Sequence, residues 1–114
     1  MELKYGLEGC ELSEITKIGG TVKLRFFDPG KQRKIFMSFE GVIFETPSVF
    51  LPNRVSRMEY SSILGFKAMS QLQHMNRNPH SYKQLLLVLG PHHAEYKNEI
   101  ICAFQDYQMR AQTI

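Results

Sequence analysis

Residues 33–44 constrain the fold of this chain more than any other stretch. They read Arg-Lys-Ile-Phe-Met-Ser-Phe-Glu-Gly-Val-Ile-Phe, with seven large apolar residues and no proline. A run so short and so apolar is a strand buried on at least one face. Its alternation changes phase at Gly41. Ile35, Met37 and Phe39 share one side before the glycine, and Val42 and Phe44 share one side after it. A glycine bulge inserts one extra residue and returns both sets to the same core, bending the strand as it does so. The other strands must then pack around a bent centre.

The preceding residues supply two such strands. Cys10, Leu12 and Ile15 mark a first strand over about residues 9–17, irregular near Ser13. Gly19-Gly20 follows as a tight-turn signal, because glycine tolerates the positive φ of a two-residue hairpin. The second strand alternates cleanly, with Val22, Leu24 and Phe26 on one face and Lys23, Arg25 and Phe27 on the other. That is the pattern of a half-exposed antiparallel strand. Asp28-Pro29-Gly30 ends it as a turn.

After the central strand, Thr46-Pro47 and Pro52-Asn53 bracket a loop, with Val49, Phe50 and Leu51 expected to tuck beneath the sheet. A short strand is expected over residues 55–60. The period then lengthens. Phe66, Met69, Leu72 and Met75 recur every three residues, which predicts an amphipathic helix over 62–76, capped by Ser61 or Ser62. Gly65 weakens that helix by about 1 kcal/mol relative to alanine. Residues 82–89 contain Leu85-Leu86-Leu87-Val88-Leu89 between Pro79 and Pro91, a strand covered on both faces. Gly90-Pro91-His92-His93 turns the chain into a last strand over 95–109. In it Ile100, Cys102 and Phe104 lie on one side, and Ile101, Ala103, Tyr107 and Met109 on the other.

The expectation is one domain, residues 1–114, of mainly β (α+β) class: a single antiparallel, strongly bent sheet or half-barrel of about six strands with one helix around 62–76. At 114 residues, 43% hydrophobic and 22% charged, the chain can bury a core without crosslinks. No apolar run approaches the ~20 residues of a membrane helix. No basic region followed by an apolar one marks a secretory signal. Cys10 and Cys102 lack disulfide-framework and metal-site spacing, and each sits in an apolar pattern, so both read as buried thiols. A reducing cytoplasm fits.

Few residues carry chemistry. His74, His80, His92 and His93 have neither HxH nor HExxH spacing, and His92-His93 reads as a solvated turn. No phosphate-binding glycine loop or GxSxG elbow is present, and Glu40 and Glu45 cannot be assigned to acid–base work. The expectation is therefore no catalytic residues, no metal and no cofactor. The positive feature is a mixture of basic and aromatic residues. Lys31, Arg33 and Lys34 cluster at the second turn, Arg54 and Arg57 follow in the next connection, and Lys67, Arg77, Lys83, Tyr60 and Tyr82 lie beyond them. Phosphate neutralisation combined with stacking on rings is how a sheet takes single-stranded nucleic acid. The same lysines and arginines also suit a solvated sheet edge. The net charge of +3 is too small to decide between these readings. The apolar helix positions Phe66, Met69, Leu72 and Met75 serve equally as core or as an interface, most simply that of a symmetric homodimer.

Three stretches carry a resemblance: Leu7-Glu8-Gly9-Cys10-Glu11-Leu12, Phe39-Glu40-Gly41-Val42-Ile43-Phe44 and Ile100-Ile101-Cys102-Ala103-Phe104. In their order and spacing they resemble a group of small bacterial all-β proteins, some of them immunity-protein-like. That group opens with a His-Asp-(Ala/Cys) segment, continues through a Phe-Glu-Gly-Val-x-x-Phe strand and closes with a Phe/Cys core pair. Here Glu8-Gly9 stands where the His-Asp pair would be, so no role of that pair carries over. The resemblance implies an all-β fold and a non-enzymatic module, immunity-like or accessory, that binds a protein partner or itself. Inhibitors of nucleases are usually acidic to complement basic targets, and this basic chain departs from that. Two other readings come from the residues alone. One is a nucleic-acid-binding β domain using Lys31, Arg33, Lys34, Arg54 and Arg57. The other is a small-molecule pocket lined by Phe66, Tyr60 and a histidine.

Overall fold

In the computed structural model the described residues are 3–45, 49–90 and 98–114. Among them eight strands run β1 (Glu11–Ile18), β2 (Thr21–Asp28), β3 (Arg33–Glu40), β4 (Phe44–Glu45), β5 (Asn53–Ser61), β6 (Lys83–Leu89), β7 (Asn98–Phe104) and β8 (Asp106–Thr113). One helix, α1 (Phe66–His74), lies between β5 and β6. All pairings are antiparallel, in the order β4-β7-β6-β5-β1-β2-β3-β8. This is the mainly β, strongly bent sheet that the patterning predicts. The expected six or so strands are six stretches of chain, two of which are broken in the middle.

Those two breaks face each other and bend the sheet. Glu40 pairs with Asp106 and Phe44 with Ala103, so residues 41–43 oppose only 104 and 105. Gln105 N donates to Glu40 O (3.1 Å) and Ile43 N to Ala103 O (3.3 Å), while Val42 N turns away to Gly20 O (3.1 Å). The bulge lies where Gly41 predicts it. Ile35, Met37 and Phe39 are buried, and Val42 packs against the same core. The expected facing of Phe44 falls on a side chain outside the described residues.

The partner strand is a correction. Tyr107 and Met109 share the core with Ile100, Cys102 and Phe104 instead of opposing them, because the break at Gln105 resets the alternation. Without a glycine there, periodicity alone runs straight through it.

Gly41 has φ +67, a left-handed conformation that a Cβ disfavours. We expect Gly41→Ala to lose about 1–2 kcal/mol in urea unfolding, the usual cost of that conformation. The new Cβ would also meet the side chain of Gln105, an exposed residue whose end can move aside. Adding Gln105→Ala should therefore not restore stability. Full recovery would place the cost in the contact and not in the backbone angle.

The main core lies inside the bend. It joins Leu7, Leu12, Leu24, Phe26, Ile35, Met37 and Phe39 to Val55, Leu85, Leu87, Leu89 and Phe104. The junction between β1 and β5 is a short ladder, with Glu11–Arg54 and Leu12–Asn53 paired. Residues 7–10 extend that seam: Gly9 N donates to Val55 O and Val55 N to Cys10 O, both at 2.8 Å. Cys10 and Cys102 are both buried. Burial pushes the Cys10 thiol up to about 11, reinforced by Asp28 and opposed by Arg33. The loop is a partial correction: Val49 and Leu51 pack on the core, but Phe50 is 86% exposed. The expected Thr46-Pro47 turn, the His92-His93 turn and the start of the last strand at 95–97 lie outside the described residues.

The helix begins at Phe66 and not at Ser62. Ser61 pairs with Gln84 as the last residue of β5, so residues 62–65 are used in stepping off the sheet. Ser61 Oγ accepts from Ile63 N (2.9 Å), and the N-cap is Gly65, whose N–H donates to Gln84 Oε1 (2.9 Å). Asn76, at φ +56, follows the C-cap Met75 and ends the helix where expected. Leu64, Ala68 and Leu72 bury against Tyr82 and Ala103, forming a second, smaller core outside the bend. Among the described residues no helix is long and apolar enough to cross a membrane.

Candidate binding face

Alternation sends half of each strand outward, and pairing lines up the outward residues in rows. On β1, β2, β3 and β8 the first row is Glu11, Phe27, Lys34 and Gln112, with Arg54 of β5 at its border. The second is Glu14, Arg25, Phe36 and Arg110. The third is Thr16, Lys23, Ser38 and Gln108.

The first strand reaches these rows only through an irregularity. The β1–β2 register shifts between Leu12 and Glu14, and Ser13 Oγ donates to Arg25 O (3.1 Å) at the extra residue. The shift lets both Leu12 and Ile15 pack on the core while Glu14 and Thr16 face outward. The spacing of three between Leu12 and Ile15 is its trace in the sequence.

The second and third rows line a groove of ≈ 530 Å³. Thr16 and Ser38 are its short side chains, with Lys23, Arg25, Gln108 and Arg110 standing around them. At its centre Phe36 is half-buried between two guanidinium groups. The Arg25 Cζ lies 5.7 Å from the ring centroid and the Arg110 Cζ 4.2 Å. These two arginines sit on the strands either side of Phe36, so backbone spacing sets them about 10 Å apart. Each contact is within the range where the ring quadrupole attracts a cation. Arg25 also meets Glu14 at 3.1 Å, and Thr16 Oγ1 donates to the same carboxylate at 3.3 Å. Both partners of that ion pair are half exposed, so it contributes less than about 1 kcal/mol and leaves Arg25 available.

The three rows and Arg54 carry five cations against the carboxylates of Glu11 and Glu14. One row further on, Glu40 pairs with Asp106 and the face turns acidic at the bend. The positive charge is thus confined between the β1–β5 seam and the corner.

The predicted basic cluster is divided by the fold. Lys34 and Arg54 join the face, and Lys31 stands exposed in the turn beside it. Arg33 turns inward: its Nε donates to Asp28 Oδ2 (3.1 Å), and its guanidinium lies 4.8 Å from the Tyr5 ring centroid. Arg57 is exposed across the seam, on the part of β5 that pairs with β6. The expected stacking rings are not at the surface, since Tyr60 and Tyr82 are buried. Burial also raises the Tyr60 hydroxyl pKa, with Tyr107 and Asp106 adding to it.

The predicted helix stripe is likewise split. Leu72 is fully buried, Met69 is partly packed, and Phe66 and Met75 are exposed at 86% and 44%. Tyr60 is buried in the main core, whereas Phe66 stands exposed on the helix. Among the described residues no three His, Cys, Asp or Glu side chains converge as a metal site would require. Lys23, Arg25 and Phe36 are outward or alternating positions readable from the strands, whereas Arg110 joins them only through the β3–β8 pairing. Comparison with known protein families, curated proteins and solved structures finds no match to this chain.

Proposed function

We propose that this chain is a non-enzymatic binding module, working in a reducing cytoplasm, that recruits an anionic macromolecule to the outer face of β1, β2, β3 and β8. The observation that carries the reading is the concentration of Lys23, Arg25, Lys34, Arg54 and Arg110 on one face with two carboxylates among them. Clustered like charges raise the local potential far more than a net charge of +3 spread over the surface. A basic face also suits an acidic partner better than the basic target of a nuclease-type immunity protein.

The test is retention on a heparin matrix. The wild type is expected to bind at about 50 mM salt and to elute as salt screens the contacts. Lys23→Glu/Arg110→Glu should abolish retention, whereas Arg57→Glu/Lys67→Glu, with the same change in net charge elsewhere, should keep most of it. Absence of wild-type retention, or equal loss in both double variants, would remove the reading.

A further inference from the structure

The face is more than a charged surface, because aromatic rings are interleaved with its cations. Phe27 pairs with Lys34 across β2 and β3, and one row on Arg25 pairs with Phe36. Ring and cation therefore alternate in a checkerboard, with the two phenylalanines diagonal to each other. Outward positions of a half-exposed antiparallel strand are ordinarily polar. Two phenylalanines at such positions, neither buried in a core, need a different account. Packing does not supply one, since both core clusters form without them.

We infer that the groove of Arg25, Phe36, Arg110, Lys23, Thr16 and Ser38 binds single-stranded nucleic acid, with bases stacked on the Phe27 ring and on the ring-bound guanidinium groups. The inference rests on the anionic-partner reading above and names the partner. A single strand offers phosphates and unpaired base faces together, and both have counterparts here. Lys23, Lys34 and the arginine edges meet phosphate oxygens. Guanidinium planes and aromatic rings are the usual stacking surfaces for splayed bases. Arg25 and Arg110 both lie over the Phe36 ring, so a base would meet their guanidinium groups before the ring itself. Its part is to hold those guanidinium groups in place, which lowers the cost of ordering them on binding. The hydroxyls of Thr16 and Ser38 and the amide of Gln108 lie along the groove where base edges would come. A duplex keeps its base faces stacked internally and gains only the phosphate contacts.

The arrangement also limits the length of the site. The cationic rows are each two residues apart along the strands, about 7 Å per step. They end at the acidic Glu40–Asp106 pair, which would repel phosphate. The site is therefore short, about four nucleotides, at the lower end for small β domains.

Fluorescence anisotropy with a labelled oligothymidylate of about twelve nucleotides tests this, alongside a duplex of equal length and the heparin matrix. The wild type should bind the single strand at least about tenfold more tightly than the duplex at low salt. Phe27→Leu/Phe36→Leu should weaken single-strand binding by roughly tenfold while heparin retention falls far less, because every cation of the face remains. Arg110→Gln should weaken binding and flatten the salt dependence by about 0.7 in the log–log slope. A thermal melt shows that each variant is folded. If heparin is retained but single strand and duplex bind alike, or the phenylalanine variant binds as the wild type does, this inference fails and the anionic-partner reading stands. If neither heparin nor oligonucleotide binds, both fail.

Discussion

Phe104→Ala is expected to lower the free energy of unfolding by about 3–5 kcal/mol, the range for deleting a large buried aromatic side chain. Phe104 is the last residue of β7, immediately before the break at Gln105, and it is fully buried. Its ring centroid lies 4.6 Å from Phe39 of β3, 6.2 Å from Tyr60 of β5 and 6.0 Å from Tyr107 of β8. Four strands thus meet on one ring, at the point where the sheet turns. The surrounding backbone is fixed by ladders on several sides, so it cannot collapse into the space the ring leaves. A loss near the upper end of the range is expected for that reason. Domains of this size are stable by about 5–15 kcal/mol, so a loss near 5 kcal/mol removes a third or more of the total. Urea denaturation at constant m-value measures the effect. Phe36→Ala, on the outer face, is the comparison and should lose less than about 1.5 kcal/mol. If Phe104→Ala cost no more than Phe36→Ala, Phe104 would not be the packing centre of the bend.

Asp28→Ala is expected to cost about 2–3 kcal/mol, although Asp28 is the last residue of β2, at the mouth of a turn. One of its carboxylate oxygens accepts from Gly30 N (3.1 Å) and Lys31 N (3.3 Å), holding the β2–β3 turn. The other accepts from Arg33 Nε at 3.1 Å, with both side chains less than a fifth exposed. Removing the carboxylate releases the turn and leaves the Arg33 cation poorly hydrated against Tyr5. The second effect can be separated from the first. Arg33→Met in the Asp28→Ala background should recover part of the loss, because it removes the stranded charge. No recovery would mean that the turn bonds account for the whole effect. Glu14→Ala, which breaks the exposed pair with Arg25, should change stability by less than about 1 kcal/mol. The two pairs have the same N–O distance, and burial separates them.

Much of the architecture was legible in the residues because it depends on neighbours two to four positions apart. Alternation placed the buried faces of β2 and β3 correctly. Gly41 announced its bulge through a phase change, and the Leu12-to-Ile15 spacing announced the irregularity in β1. The helix start at Phe66 was not legible, since it depends on Gln84 pairing with Ser61 and then holding Gly65 N from another strand. The break at Gln105 was hidden for a similar reason. Nothing in a polar Gln-Asp step reverses periodicity unless the strand has to follow its neighbour around Gly41.

The binding face divides along the same line. That Lys23 and Arg25 point to water follows from the period of two in β2, a local property of the chain. That Arg25 and Arg110 flank one phenylalanine follows from strand order, which joins residues far apart in sequence. Arg33 shows the limit most directly. Sequence proximity groups it with Lys31 and Lys34, but Asp28 and the Tyr5 ring draw it away from the face. Local patterning settles which side chains leave the core. Only strand pairing and long-range packing settle which of them stand together, because those contacts are set by the closure of the sheet and not by position along the chain.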